Sequence, residues 1–174
     1  MKKYAVIFGS SRSNGNTMRA TSLVLEELDG HLLIDLSVYQ VHDFDYQYTH
    51  DDDDFLKIIT SIIEYDVLIF ATPIYWYTMS APMKRFVDRF TELLTIHKEL
   101  GRALRGKKFA VICSYGAPEG IDGFERIFIN TANYLAMQYL GCYFHYSGDL
   151  EELIAENLGR RSAFIHSLKN YQPK

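Results

Sequence analysis

Two rhythms of apolar and polar positions run through the chain. Short apolar runs rich in β-branched and aromatic residues occur at Lys3–Phe8, Leu32–Leu36, Asp66–Ala71, Lys107–Ser114 and Cys142–Ser147, and they predict strands. The third is fully apolar from Val67, as suits a strand covered on both faces. Between them lie segments of helical period. Asn16–Leu28 sets Met18, Leu23, Leu25 and Leu28 among polar residues, with Thr17 near its start and Gly30 past its end. Asp51–Glu64 carries Asp51 to Asp54 in its first turn, the sign of charge a helix N-terminus favours. Ser80–Leu94 has Ser80 as an N-cap and Pro82 in the first turn. Gly123–Leu140 is closed by Gly141, and Leu150–Lys169 predicts the last helix.

Strands separated by helices, with connections too long for hairpins, predict an α/β domain with a parallel sheet wrapped on both faces. Right-handed crossovers restrict it to a doubly wound topology. No repeat, low-complexity segment or linker interrupts the chain, so residues 1–174 read as one domain. Val38–His50, rich in Tyr, His and Asp, is the least regular stretch and reads as a surface loop after the second strand.

Composition removes several function classes. The net charge of −4, with no basic stripe, argues against a nucleic-acid partner. No apolar run approaches the ~20 residues of a membrane span. Met1-Lys2-Lys3 precedes only Tyr4–Phe8, shorter than the ~7–15 residues of a signal-peptide core. Cys113 and Cys142 form no ligand spacing and read as small buried hydrophobes of a reducing compartment, which makes the expected location cytoplasmic. The six histidines make no metal motif, and no metal site is expected. His42 and His50 read as parts of a solvated loop, and the Asp51–Asp54 run as a solvated helix start.

The chemistry concentrates between the first strand and first helix, in Gly9-Ser10-Ser11-Arg12-Ser13-Asn14-Gly15-Asn16-Thr17. In open α/β sheets ligands bind outside the carboxyl ends of the strands, at the switch in strand order. A helix N-terminus there offers free N–H groups and a partial positive charge to an anion. The macrodipole contributes only about 0.3–1 kcal/mol. Hydrogen bonds to a charged group contribute about 1.5–3 kcal/mol each, so the hydroxyls, amides and the Arg12 cation dominate. Gly15 lets the backbone approach the anion closely. The loop has neither the P-loop order nor G-x-G-x-x-G, which points to a monophosphate held in place rather than transferred.

In a sheet of order 2-1-3-4-5 two further loops share that edge. Ala71–Ser80 brings Pro73, Ile74, Tyr75, Trp76 and Tyr77, suited to walling a flat heteroaromatic ring with apolar faces and backbone donors. Cys113-Ser114-Tyr115-Gly116-Ala117-Pro118-Glu119-Gly120 follows the fourth strand, where Gly116 and Gly120 permit close approach and Tyr115 offers a stacking face.

These residues, together with Ser80, Met83-Lys84 and Gly106-Lys107-Lys108, resemble the NADPH-dependent FMN reductase family of the flavodoxin-like superfamily. The resemblance runs from Lys3 to about Ser147. It implies a flavodoxin-like, doubly wound, five-stranded parallel sheet of order 2-1-3-4-5 with helices on both faces and FMN at the strand ends. Residues matching Ser10, Arg12, Asn16 and Thr17 hold the phosphate in that family, with Ser11, Ser13, Asn14 and Gly15 shaping the loop. Those matching Pro73, Ile74, Tyr75 and Trp76 lie along the isoalloxazine, and those matching Ser114, Tyr115 and Gly116 reach its pyrimidine side. NADPH or NADH would donate electrons, in a ping-pong cycle, to a small acceptor such as a quinone or a flavin, with no residue acting as an essential acid or nucleophile. The resemblance further implies a homodimer or homotetramer. Some relatives carry a cysteine cluster after the second strand; Val38–His50 has none. Two other readings stay open at this point: a flavodoxin-type electron carrier without NAD(P)H turnover of its own, and a flavin-free interaction protein on the same scaffold.

Overall fold

The computed structural model describes residues 3–49, 52–119 and 121–171. Met1, Lys2, His50, Asp51 and Gly120, about which the sequence made specific suggestions, lie outside the described residues.

Five parallel strands make up the sheet: β1 (Tyr4–Phe8), β2 (His31–Asp35), β3 (Val67–Tyr75), β5 (Lys108–Tyr115) and β6 (Gln138–Tyr146). Their order is β2-β1-β3-β5-β6, the doubly wound order expected, with a two-residue strand β4 (Thr78–Met79) folded back antiparallel on β3. Strict alternation along the central strands produces two cores. Ala5, Ile7, Leu68, Phe70, Phe109 and Val111 face one side of the sheet, where α2 (Phe55–Ile62), α3 (Ala81–Asp88), α4 (Phe90–Thr95) and α6 (Phe124–Tyr134) supply Ile58, Phe86, Phe90 and Phe128. Val6, Phe8, Ile69, Ala71, Ala110 and Ile112 face the other, against Val24 of α1 (Asn16–Leu25) and Phe164 and Leu168 of α7 (Glu151–Asn170). β1, β3 and β5 are covered on both faces, which explains why they read as continuous apolar runs.

The structure corrects four boundaries. The segment expected to be one helix over Gly123–Leu140 is α6 followed by the first three residues of β6. The helix stops at Ala136, which adopts a left-handed conformation (φ 55°), and Met137 N–H donates to Ala132 C=O at 2.8 Å to close the end. Gly141, expected as the helix stop, lies instead within β6 at φ 130°, beside the register slip between Phe109 and Ala110. The extra residue of this bulge resets the alternation, so Cys142 and Phe144 pack on the α6 side and Tyr143 on the α7 side. Ser80–Leu94 is two helices meeting at the buried Arg89, and a further short helix α5 (Lys98–Ala103) follows. The third strand runs on past Ala71 to Tyr75. Helix α2 begins only at Phe55, and Asp53 is no solvated helix start: its side chain is 2% exposed.

Cys113 is buried and Cys142 half-buried; both are free, with sulfurs 3.6 Å apart, and burial together with Cys113 pushes the Cys142 thiol well above its ordinary pKa. Among the described residues no helix is long and apolar enough to cross a membrane.

Candidate functional site

The carboxyl ends of β1, β3 and β5 bring the three loops together, and short hydrogen bonds fasten them. Gly9 N–H donates to Ala71 C=O at 2.9 Å, and the Ser80 hydroxyl donates to Gly9 C=O at 2.7 Å. Ser80 also caps α3 by accepting from Met83 N–H, and its own N–H donates to the Thr72 hydroxyl at 3.0 Å. Gly9 packs so tightly on α3 that a Cβ there would lie 2.9 Å from Met83 Cβ and 3.0 Å from its backbone. The third loop joins through Thr17 and Ser114, whose buried hydroxyls are 2.7 Å apart. Ser80 showed itself in the sequence as a cap; Thr72 and Met83 gave no signal of their part in this network.

What this frame holds up is a helix end left open. Gly15 occupies the N-cap position of α1 in extended conformation and no side chain caps the helix, so its first amides have no side-chain acceptor. Around it Ser10 and Thr17 are buried, while Ser11, Arg12, Ser13, Asn14 and Asn16 are exposed. The Ser10 hydroxyl accepts from Arg12 N–H, and the Ser13 and Ser37 hydroxyls are 3.0 Å apart. The Arg12 guanidinium lies over Gly15 and makes no ion pair among the described residues. Uncapped amides, hydroxyls and an unpaired cation are the donor set that fits a phosphate, and Gly15 leaves the approach free of a side chain.

The second wall is a tight hairpin. Ile74 pairs with Met79 and Tyr75 with Thr78, leaving Trp76 (φ 47°) and Tyr77 (φ 65°) both left-handed at the tip. This is the geometry of a two-residue hairpin turn usually occupied by Asn and Gly. Trp76 is 92% exposed, and Tyr77 and Tyr75 are exposed as well. Pro73 lies beside Ser114 in the β3–β5 register, so the hairpin base and the third loop are adjacent. Tyr115 departs from expectation. Its ring is buried against Tyr146 (centroids 5.3 Å apart) and its hydroxyl accepts from Arg160 at 2.7 Å. It presents no open stacking face; its backbone and that of Gly116 are what the crevice can use. Ser147 N–H donates to Tyr115 C=O at 2.8 Å and steadies this loop from β6.

The loop between β2 and α2 borders the crevice and is braced by charges that the sequence did not reveal. Arg89 is 1% exposed; its guanidinium bonds Glu92, Asp53 and the His42 carbonyl and lies 4.8 Å from the centroid of the Phe55 ring. Burial alone would raise the Asp53 pKa, but hydrogen bonds from His42 N–H, Arg89 and Phe55 N–H outweigh it and hold the carboxyl below its ordinary range. His42, expected in a solvated loop, is thereby fixed through its backbone, and Arg85 pairs with Asp43 at 2.6 Å. Between this loop and α3 lies a cavity of about 330 Å³ lined by Tyr39, His42, Asp43, Pro82 and Arg85. Among the described residues no cluster of His, Cys, Asp or Glu is placed to hold a metal ion.

Comparison with known proteins gives the chain a family. The family described as NADPH-dependent FMN reductase matches residues 2–150. A Bacillus subtilis (strain 168) protein named as an NAD(P)H-dependent FMN-containing oxidoreductase, YwqN, is 30% identical over 148 residues, covering 80% of this chain and 82% of that one. Among solved structures, the Trp repressor binding protein of Bacillus subtilis superposes with a TM-score of 0.74 at 26% identity, covering 98% of this chain and all of that one (100%). General stress protein 14 of Treponema denticola, solved in complex with FMN, shares the fold with a TM-score of 0.62 at 21% identity and 97% coverage of both chains. The chain belongs to the NADPH-dependent FMN reductase family, with its flavodoxin-like fold, its FMN cofactor and its NAD(P)H-dependent oxidoreductase activity.

Proposed function

We propose that the chain holds FMN with its phosphate on the loop Gly9–Thr17 and its ring between the hairpin Pro73–Trp76 and the turn Ser114–Gly116. In this reading it passes electrons from NAD(P)H to a small acceptor by a ping-pong cycle. The observation that carries this is the uncapped start of α1, surrounded by hydroxyls and the unpaired Arg12, and fastened to the other two loops through Gly9, Ser80, Thr17 and Ser114.

The chemistry FMN supplies when bound is hydride acceptance and delivery of electrons to the second substrate. The protein's share is binding, orientation and control of water. Amides at the start of α1, the Ser10 and Thr17 hydroxyls and Arg12 carry the phosphate charge. Pro73 and Ile74 give the ring an apolar wall and the backbone of Ser114 to Gly116 gives its polar edge donors. Exposed Tyr75 and Trp76 supply a surface on which nicotinamide and acceptor stack in turn. No titratable side chain is assigned an essential proton transfer. A quinone or a free flavin is the acceptor class this open, aromatic-rimmed surface suits. The NADPH-quinone reductase of P. pentosaceus shares the fold with a TM-score of 0.67 at 18% identity.

The test is the visible spectrum of the purified protein after FMN addition and desalting, followed by anaerobic addition of NADPH or NADH. Retained flavin absorbance that bleaches within the mixing time is the expected result. Retained flavin that stays oxidised would assign the chain to electron carriage without NAD(P)H turnover. Loss of all flavin on desalting would overturn the assignment of the loop Gly9–Thr17.

A further inference from the structure

On the α1 and α7 side of the sheet, a cavity of about 360 Å³ opens between the two helices and the end of β6. Three nitrogen bases converge on it from three elements: Arg19 of α1, Arg161 of α7 and His145 of β6. Arg19 and Arg161 make no side-chain hydrogen bond or ion pair among the described residues, and no Asp or Glu lines the cavity. His145 is 9% exposed, and its one hydrogen bond among the described residues joins Nδ1 and the Tyr143 hydroxyl at 2.9 Å, leaving Nε2 without a partner among them. The framework is fixed: the Asn157 side chain donates to Tyr146 C=O and accepts from Tyr146 N–H, locking α7 to β6 on the cavity floor. Leu23, Ile154 and Leu158 add apolar lining, one or two turns along α1 and α7 from the arginines, and Leu158 is 63% exposed.

Cations gathered without carboxylates raise the electrostatic potential of a partly enclosed space and favour an anion there. Guanidinium groups match the oxygens of a phosphate in pairs. From this arrangement we infer that the cavity binds a small organic phosphate monoester, its phosphate on Arg19, Arg161 and His145 and its apolar body on Leu23, Ile154 and Leu158. The site is separate from the crevice assigned to FMN and touches the phosphate loop only at Asn16. Burial first, then the nearby Arg19 and Arg161, hold the empty His145 below its ordinary pKa. A bound dianion offsets those two cations, so occupancy brings a proton onto His145. Affinity for an anion of constant charge therefore rises as pH falls through the His145 titration, followed from about pH 8 downward.

The experiment is calorimetric titration of the FMN-saturated protein with phenyl phosphate, and with sulfate across that pH range because its own charge stays constant. Arg19→Gln and Arg161→Gln are each expected to weaken phenyl phosphate by about tenfold or more, the loss of one charge-assisted contact. Inorganic phosphate is expected to bind more weakly than phenyl phosphate. His145→Gln is expected to flatten the pH dependence of sulfate binding. All three side chains lie outside the loop Gly9–Thr17, so an unchanged flavin spectrum reports that the variants fold. Equal affinity in wild type and the Arg19→Gln, Arg161→Gln double variant would overturn the site. So would loss of phenyl phosphate binding on FMN saturation, which would place the anion on the loop instead.

Discussion

Arg89 shows how a single side chain can hold an irregular loop against the domain. Removing a guanidinium and two carboxylates from water is costly, and the arrangement persists only because each finds a partner: Asp53 and Glu92 for Arg89, and the N–H groups of His42 and Phe55 for Asp53. Truncating the cation strands two buried carboxylates, so Arg89→Met is expected to cost about 3–5 kcal/mol in urea unfolding. Asp53 sets an acid dependence. Its carboxyl is held below its ordinary value in the folded state, so its stabilisation is complete above the unfolded value of about 3.9. It is lost as pH falls through the lower folded value. The urea midpoint of the wild type should therefore fall more steeply below about pH 4 than that of Asp53→Asn. If the two acid profiles are parallel, the ion pair has no such role. None of this was legible in the sequence, for a clear reason. Asp53 sits in a run of four aspartates that reads as solvated, and its partner lies 36 positions away at a junction of two helices with no pattern to mark it.

Elements were legible where burial alone fixes their period, and misread where one residue adopts a conformation its type disfavours. β1, β3 and β5 announced themselves because both faces are covered. The end of α6 did not, since an alanine, Ala136, stands in the left-handed position where a glycine would have been recognised. Gly141, which follows the extra residue Leu140 of the bulge in edge strand β6, then read as the missing stop. Ala136 is exposed and loses no packing on truncation, so Ala136→Gly is expected to stabilise the protein by about 0.5–1 kcal/mol, read as a raised melting temperature. The β3–β4 hairpin escaped notice similarly, because Trp76 and Tyr77 occupy a turn that sequence rules reserve for Asn and Gly. Left-handed backbone at a non-glycine residue costs about 1–2 kcal/mol. Trp76 at 92% exposure recovers nothing by packing within this chain. The double change Trp76→Asn, Tyr77→Gly should thus raise stability by about 1–2 kcal/mol while raising KM for the acceptor. Unchanged steady-state kinetics in this variant would remove the aromatic tip from the substrate surface.

At the scale of the molecule, strand order does the work that no loop could do alone. Placing β1 between β2 and β3, and β5 beyond β3, brings three loops far apart in sequence to one edge. That convergence was legible from the strand–helix alternation, and so was the wealth of hydrogen-bond donors in Gly9–Thr17 on which the proposed phosphate site draws. The fastening was not, because contacts between loops follow from packing distances that sequence does not carry. Gly9 is the clearest case: it reads as an ordinary strand end, yet it is the point where the loop Gly9–Thr17 meets α3. A Cβ at Gly9 would press on the Met83 Cβ at 2.9 Å and on its backbone nitrogen and Cα at 3.0 Å. The side-chain contact can be relieved by substitution; the backbone contacts cannot. Gly9→Ala must therefore move the loop away from α3, stretching the 2.7 Å bond from Ser80 to Gly9 C=O and misaligning the amides at the start of α1. The expected result is FMN affinity lowered by about tenfold or more, the loss of one charge-assisted contact. The fold should survive with its far-ultraviolet spectrum intact. Met83→Gly on top of Gly9→Ala should not restore affinity, since the backbone remains. Full recovery of flavin binding in that double variant would show that only a side-chain clash was at issue, and that the position of the loop on α3 has no part in holding the cofactor.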